Sequence, residues 1–93
     1  HPDYVLRLFV SGPGPASSRA IQNLKEICEE YLPGHHSLDI IDLYKHPEAS
    51  KKEQIVATPT LVKKSPNPLR IILGDLADRE RVLGILGLAF SGS

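Results

Sequence analysis

The groups in this chain that could make or break a bond are few, and their spacing works against them. Cys28 is the single cysteine. An intramolecular disulfide is therefore excluded, and so is dithiol–disulfide exchange, which needs a Cys-x-x-Cys pair at a helix N-terminus where the thiol pKa is lowered. Cys28 sits beside Ile27 well inside a helical pattern, where a buried thiol behaves as a small hydrophobe. Ser11-Gly12-Pro13-Gly14 offers glycines after a strand, as a phosphate loop does. It lacks the Gly-Lys-Ser/Thr ending and the dinucleotide spacing, and Pro13 and Pro15 remove two amides that would cradle an anion, so it reads as a turn into a helix. Ser17 and Ser18 read as caps of that helix, since no neighbouring histidine stands to activate them as nucleophiles.

His35 and His36 are adjacent, and on an extended chain neighbours point to opposite faces, so they do not share one ion. With His46 they read as solvated loop residues, and no metal or cofactor is expected. Asp75 and Asp78 read as helix caps, and Glu26, Glu29 and Glu30 as a wet helix face. Lys45, Lys51, Lys52, Lys63, Lys64 and Arg70 concentrate cations in the middle of the chain. Three Tyr and two Phe are too few to stack bases, so this patch suits an acidic protein partner and not nucleic acid.

The 93 residues make one domain, 1–93, with a small core. Eleven Lys and Arg balance eleven Asp and Glu, which removes any long-range pull toward nucleic acid or an anionic membrane and leaves little repulsion between copies. No apolar run approaches the ~20 residues that span a bilayer, and no basic-then-apolar leader is present, so a cytoplasmic protein is expected.

Apolar periodicity defines the elements that must position these groups. Tyr4–Val10 is almost continuously hydrophobic, the pattern of a central strand covered on both faces. From about Ser17 to Leu32, Ala20, Ile21, Leu24, Ile27, Cys28 and Tyr31 fall on one helical stripe, which Pro33-Gly34 ends. Leu38–Leu43 forms a second strand, parallel to the first as in a βαβ unit. Tyr44–Gln54 is polar and holds at most a short helix from Pro47. Thr60–Lys64 and Leu69–Leu73 are short strands whose Ser65-Pro66-Asn67-Pro68 connection makes them an antiparallel hairpin, ended by Gly74. Asp75 is expected to cap a last helix with Leu76, Val82, Leu83, Leu86, Ala89 and Phe90 on its buried side. Gly84 and Gly87 inside that helix weaken it by about 1 kcal/mol each.

Pro59 cannot donate a ladder bond, so Thr58-Pro59 must be the turn leading into the third strand, in either peptide isomer. The resulting α/β order, β-α-β-α-β-β-α with a proline before the third strand, is the thioredoxin arrangement, here without its thiols.

Four stretches carry a closer resemblance: Tyr4-Val5-Leu6-Arg7-Leu8-Phe9-Val10-Ser11-Gly12, Ser18-Arg19-Ala20-Ile21-Gln22-Asn23-Leu24, Val56-Ala57-Thr58-Pro59-Thr60-Leu61-Val62 and Ile72-Leu73-Gly74-Asp75-Leu76-Ala77-Asp78-Arg79-Glu80-Arg81-Val82-Leu83. The chain resembles the KaiB family of circadian clock proteins over nearly its whole length. The N-terminal sensor domain of the SasA clock kinase is the nearest alternative, and a degenerate thioredoxin-fold redox enzyme using Cys28 is a third. The resemblance implies a non-enzymatic regulator of a circadian or timing system that binds the hexameric ATPase-kinase KaiC, helps sequester KaiA and competes with SasA. It also implies a metamorphic chain: a tetrameric or dimeric resting form, ordered β-α-β-β-α-α-β, converts to the thioredoxin-like monomer that binds. By match to the family, Arg7, Arg19 and Arg70 are expected to contact partner acids. Thr58, Pro59, Gly74, Asp75 and Arg79 are expected at structural or switching positions. Members of the family often continue past the point where this sequence stops, with an acidic segment.

Overall fold

The computed structural model describes residues 3–88. Its elements follow the expected order: β1 (Tyr4–Val10), α1 (Pro15–Tyr31), β2 (His36–Asp42), α2 (Glu48–Lys52), β3 (Thr60–Ser65), β4 (Arg70–Leu73) and α3 (Arg79–Leu86). They build one four-stranded sheet in the order β2-β1-β3-β4. β1 is central, parallel to β2 and antiparallel to β3, and β3 pairs antiparallel with β4.

Alternation along β1 sorts the molecule into layers. Leu6, Leu8 and Val10 join Leu61 and Ile72 on one sheet face, against Ala20, Leu24, Ile27 and Cys28 of α1 and Val82, Leu83 and Leu86 of α3. Phe9 and Val62, also buried, lie on the opposite face beside Arg7. Glu53, just past α2, bonds Arg7 and Lys64 and so fixes the α2 segment over that face. Lys63 stands in register with Leu6 and is only 4% exposed, so its stem belongs to the core side. Lys64 and Lys63 are therefore withdrawn from the cationic surface expected from composition.

Three local expectations need correction. α1 starts at Pro15 with Gly14 as N-cap and no side-chain cap bond, so Ser17 and Ser18 are inside the helix, Ser17 buried. Pro15 takes the first helical position, where its missing N–H costs nothing. α3 starts at Arg79, with Asp78 as its cap accepting from Arg81 N at 3.2 Å. Asp75 instead makes a turn of its own, its Oδ1 accepting from Ala77 N at 3.1 Å. That turn holds Leu76 at φ 64 and drops it, 5% exposed, into the core. Gly87 is the left-handed C-cap of α3 and not an interior residue, so only Gly84 weakens the helix. Ala89, Phe90 and the end of the chain lie outside the described residues.

The Thr58-Pro59 bond is cis, as are Ser65-Pro66 and Asn67-Pro68.

Candidate functional site

Seven of the eight residues singled out from the sequence fall into three places, and Arg70 stands apart at the start of β4. At the C-terminal end of β1, the Ser11 and Thr58 hydroxyls share a hydrogen bond of 2.7 Å. Pro59 is buried behind Thr58, and its carbonyl accepts from Gly74 N at 2.9 Å, so this turn and the end of β4 hold each other. Gly12, at φ 67, passes so close to the Tyr44 ring that an added Cβ would lie 2.7 Å from it. The Gly12 amide donates to Asp42 Oδ1 at 3.0 Å, and the Tyr44 amide donates to the same oxygen at 2.9 Å. These two backbone bonds hold the Asp42 carboxyl below the usual carboxylate range. Three loops are thereby locked together at one end of the sheet, and beside them Val56 is 90% and Tyr44 75% exposed.

On the helical side, α1 is tied to the segment between β4 and α3. Arg19 Nε donates to Asp75 Oδ2 at 3.0 Å, and Asn23 Nδ2 donates to the Asp75 carbonyl at 2.9 Å. The Arg19 bond, then the Ala77 amide, lowers the Asp75 pKa. Arg79 reaches back to Glu30 at 3.0 Å and Glu26 at 3.4 Å. Hydrogen bonds from Tyr31 and Arg79 lower the Glu30 pKa, and the Glu30 bond raises that of Arg79.

On the opposite sheet face, Glu53 is the centre of a small network. Lys64 Nζ lies 2.6 Å from Glu53 Oε1, Arg7 Nη1 is 3.4 Å from Oε2, and Arg7 Nε is 3.9 Å from Asp39. The Lys64 bond first, and then the surrounding positive charge, keeps Glu53 ionised below its ordinary range.

Arg7 and Arg19 thus both have internal partners, although their side chains stay 37% and 59% exposed. Arg70 opens β4 on the surface, and among the described residues it makes no ion pair. Gly74 and Asp75 are neighbours of the same turn, at φ 107 and at the Arg19 contact. Glu53, Asn23 and Asp42 were not singled out by pattern. Asp42 at a strand end before a turn carried a usable signal, whereas Glu53 meets Arg7 across 46 residues of chain and carried none.

Thiol chemistry has no support from Cys28, which is 1% exposed, with burial pushing its thiol up to about 11. His35 Nδ1 lies 2.9 Å from Asp3 Oδ2 and His36 Nδ1 2.8 Å from the Leu32 carbonyl. His36 opens β2 and does not sit in a loop. Among the described residues no group of three or more His, Cys, Asp or Glu is placed to hold a metal ion, and no helix is long and apolar enough to cross a membrane.

Comparison with known proteins places these features. The KaiB domain family matches residues 7–88. The circadian clock oscillator protein KaiB of Microcystis aeruginosa is 48% identical over 87 residues, covering 94% of this chain and 84% of the relative. That of Trichodesmium erythraeum matches at the same identity and coverage. Among solved structures, the N-terminal domain of Synechococcus elongatus SasA superposes with a TM-score of 0.73 at 26% identity, over 98% of this chain and 90% of that one. Mitochondrial thioredoxin 3 of Saccharomyces cerevisiae, in its oxidized form, superposes at 0.74 with 19% identity, over 95% and 81%, a likeness of fold alone.

Proposed function

The chain belongs to the KaiB family, and from that premise we propose that it is a non-enzymatic adaptor of a circadian or timing system. It acts by presenting a surface of its thioredoxin-like form to a KaiC-like hexameric ATPase-kinase. The observation that carries this reading is the loop end of the sheet. Where a redox relative of this fold needs a thiol pair, this chain has Ser11-Gly12-Pro13-Gly14, and Val56 and Tyr44 stand exposed beside the Thr58-Pro59 turn. An exposed apolar pair on a locked backbone is what a protein partner can bury without ordering cost. Arg70, without an ion pair among the described residues, can meet partner acids, and Arg7 and Arg19 keep exposed edges for the same purpose on opposite sides of the sheet. A SasA-type kinase competes for the same surface, and KaiA is a further partner where the system has one.

The reading includes the family's change of fold and its tetrameric or dimeric resting form. Its local support is the weak self-sufficiency of residues 43–88: α2 buries no side chain, and α3 is eight residues long with Gly84 inside it. Such weak local preferences permit two packings separated by a few kcal/mol.

The test is co-elution with a KaiC-like hexamer in ATP and in ADP, where complex formation is expected in one nucleotide state and its failure in both overturns the adaptor reading. Nitrogen–proton correlation spectra at two temperatures test the switch. Two slowly exchanging peak sets concentrated after about residue 45 are expected, and a single set at all temperatures overturns it. The likeness to the SasA N-terminal domain keeps one second reading, the sensor domain of a histidine kinase. A kinase region encoded immediately downstream would establish it.

A further inference from the structure

The backbone of the edge strand β4 and its side chains are sorted in a way that describes what would pair with it. The Gly74 amide bonds the Pro59 carbonyl, and the antiparallel register runs on through Thr60–Leu73, Leu61–Ile72, Val62–Ile71 and Lys63–Arg70. Hydrogen-bonded and non-hydrogen-bonded pairs alternate. Ile72 and Arg70 therefore spend their amides and carbonyls on β3, while those of Ile71 and Leu73 point to the free edge.

The pleat divides the side chains by chemistry. Ile71 and Leu73 lie on the sheet face that carries Arg7 and Phe9, 57% and 54% accessible, with Leu69 at 53% in line with them. Arg70 lies on the other face, exposed and directly across the ladder from Lys63. Lys63 is 4% exposed, and among the described residues neither cation makes an ion pair. Like charges directly opposed in a sheet are unfavourable. The hairpin thus holds a cation pair that an incoming carboxylate would relieve, beside an apolar row that an incoming strand would cover.

We propose that the β4 edge takes an extended segment of a partner protein as a fifth, antiparallel strand, and that this segment reads apolar, any residue, apolar, acidic, apolar from its N-terminal side. Its apolar side chains fall opposite Leu73, Ile71 and Leu69, and its acid falls opposite Arg70 beside Lys63. Backbone bonds to Ile71 and Leu73 supply affinity, and the alternation supplies specificity. β4 itself carries Arg70 and no acid, so a second copy of this strand does not meet the pattern. The inference rests on the adaptor reading only in giving Arg70 an acidic partner, and its test needs no ATPase-kinase, so it stands or falls apart from the co-elution experiment.

The probe is the capped peptide Val-Thr-Val-Glu-Val, raised to about 1 mM against the isotope-labelled full chain, with amide exchange and nitrogen–proton correlation spectra as the readout. The amides of Ile71 and Leu73 should shift and gain protection, while those of Arg70 and Ile72, already bonded to β3, change little. Val-Thr-Val-Lys-Val should bind about tenfold more weakly or worse, and Arg70→Glu should reverse that order. Ile71→Pro deletes only an outward-facing amide and should abolish binding with the circular dichroism unchanged. Three results overturn the proposal: outward amides left unprotected at the highest peptide concentration, equal binding of the Glu and Lys peptides, or protection of Ile71 and Leu73 that arises on concentrating the chain alone.

Discussion

The β1-α1-β2 half and the part that follows Asp42 share one apolar core, but their helices are anchored to different degrees by burial and by polar contacts. α1 has 17 residues and sinks Ser17, Ala20, Leu24, Ile27 and Cys28 against the sheet. α2 has five residues and buries none, and α3 has eight and buries three. The second region makes up the difference with polar ties to the first: Glu53 to Arg7, Asp75 to Arg19 and Asn23, and Arg79 to Glu26 and Glu30. Apolar burial does not titrate and is not screened by salt, whereas exposed ion pairs are weak and screened. One chain therefore carries a robust half and a conditional half, and solution conditions can loosen the second without dissolving the first.

The sharpest attack on this contrast is a cavity in the robust half. Leu24→Ala, at a fully buried site, should cost about 2–5 kcal/mol in urea unfolding and remove both halves together. A loss confined to residues 43–88 would reverse the comparison. Next in size is Gly12→Ala at the seam between the halves. It forces an L-residue into φ 67 and a Cβ into Tyr44, so about 1–2 kcal/mol from backbone conformation plus the displacement of Tyr44 is expected in the same assay. Asp78→Ala removes the α3 cap and should cost about 1 kcal/mol, read by amide exchange as lost protection in Arg79–Leu86 with α1 unaffected.

Acid should act along the same line. Asp42, Glu53, Asp75 and Glu30 all have lowered pKa values when folded. The unfolded chain therefore binds more protons near pH 4, and the stability these groups add is present at neutral pH and lost as pH falls through their folded values. Amide protection in residues 43–57 and 74–88 should fall first on going from pH 6 to pH 3.5, and uniform loss would contradict the division. The smallest effect is expected for Arg19→Ala, which barely moves the unfolding midpoint at high salt and leaves α1 intact.

Periodicity made β1, α1, the parallel β2 and the β3–β4 hairpin legible, because long apolar stripes and proline-rich turns report burial directly. The start of α3 was not legible in the same way. Asp75 and Asp78 are both cap-forming residues, and the choice between them is made by Leu76, which leaves the helix pattern to enter the core at positive φ. The resemblance to KaiB, by contrast, was plain in four short stretches and agrees with the family match over residues 7–88. Glu53 and Asn23 escaped notice because their partners come from distant chain. Lys63 was counted with the surface cations because composition does not tell which side of a strand a lysine occupies.

The Tyr4 hydroxyl donates to the Leu86 carbonyl at 2.9 Å, closing the first strand onto the last helix. Seven residues of β1, about 20 Å, separate this clasp from Gly12 and Thr58. Fusions, labels or a surface tether joined near either clasped segment therefore leave from the far pole, and an immobilised molecule would keep its opposite pole free. The same proximity suits circular permutation, with residues 3 and 88 bridged by a short linker and new ends opened in the exposed Pro66–Pro68 turn.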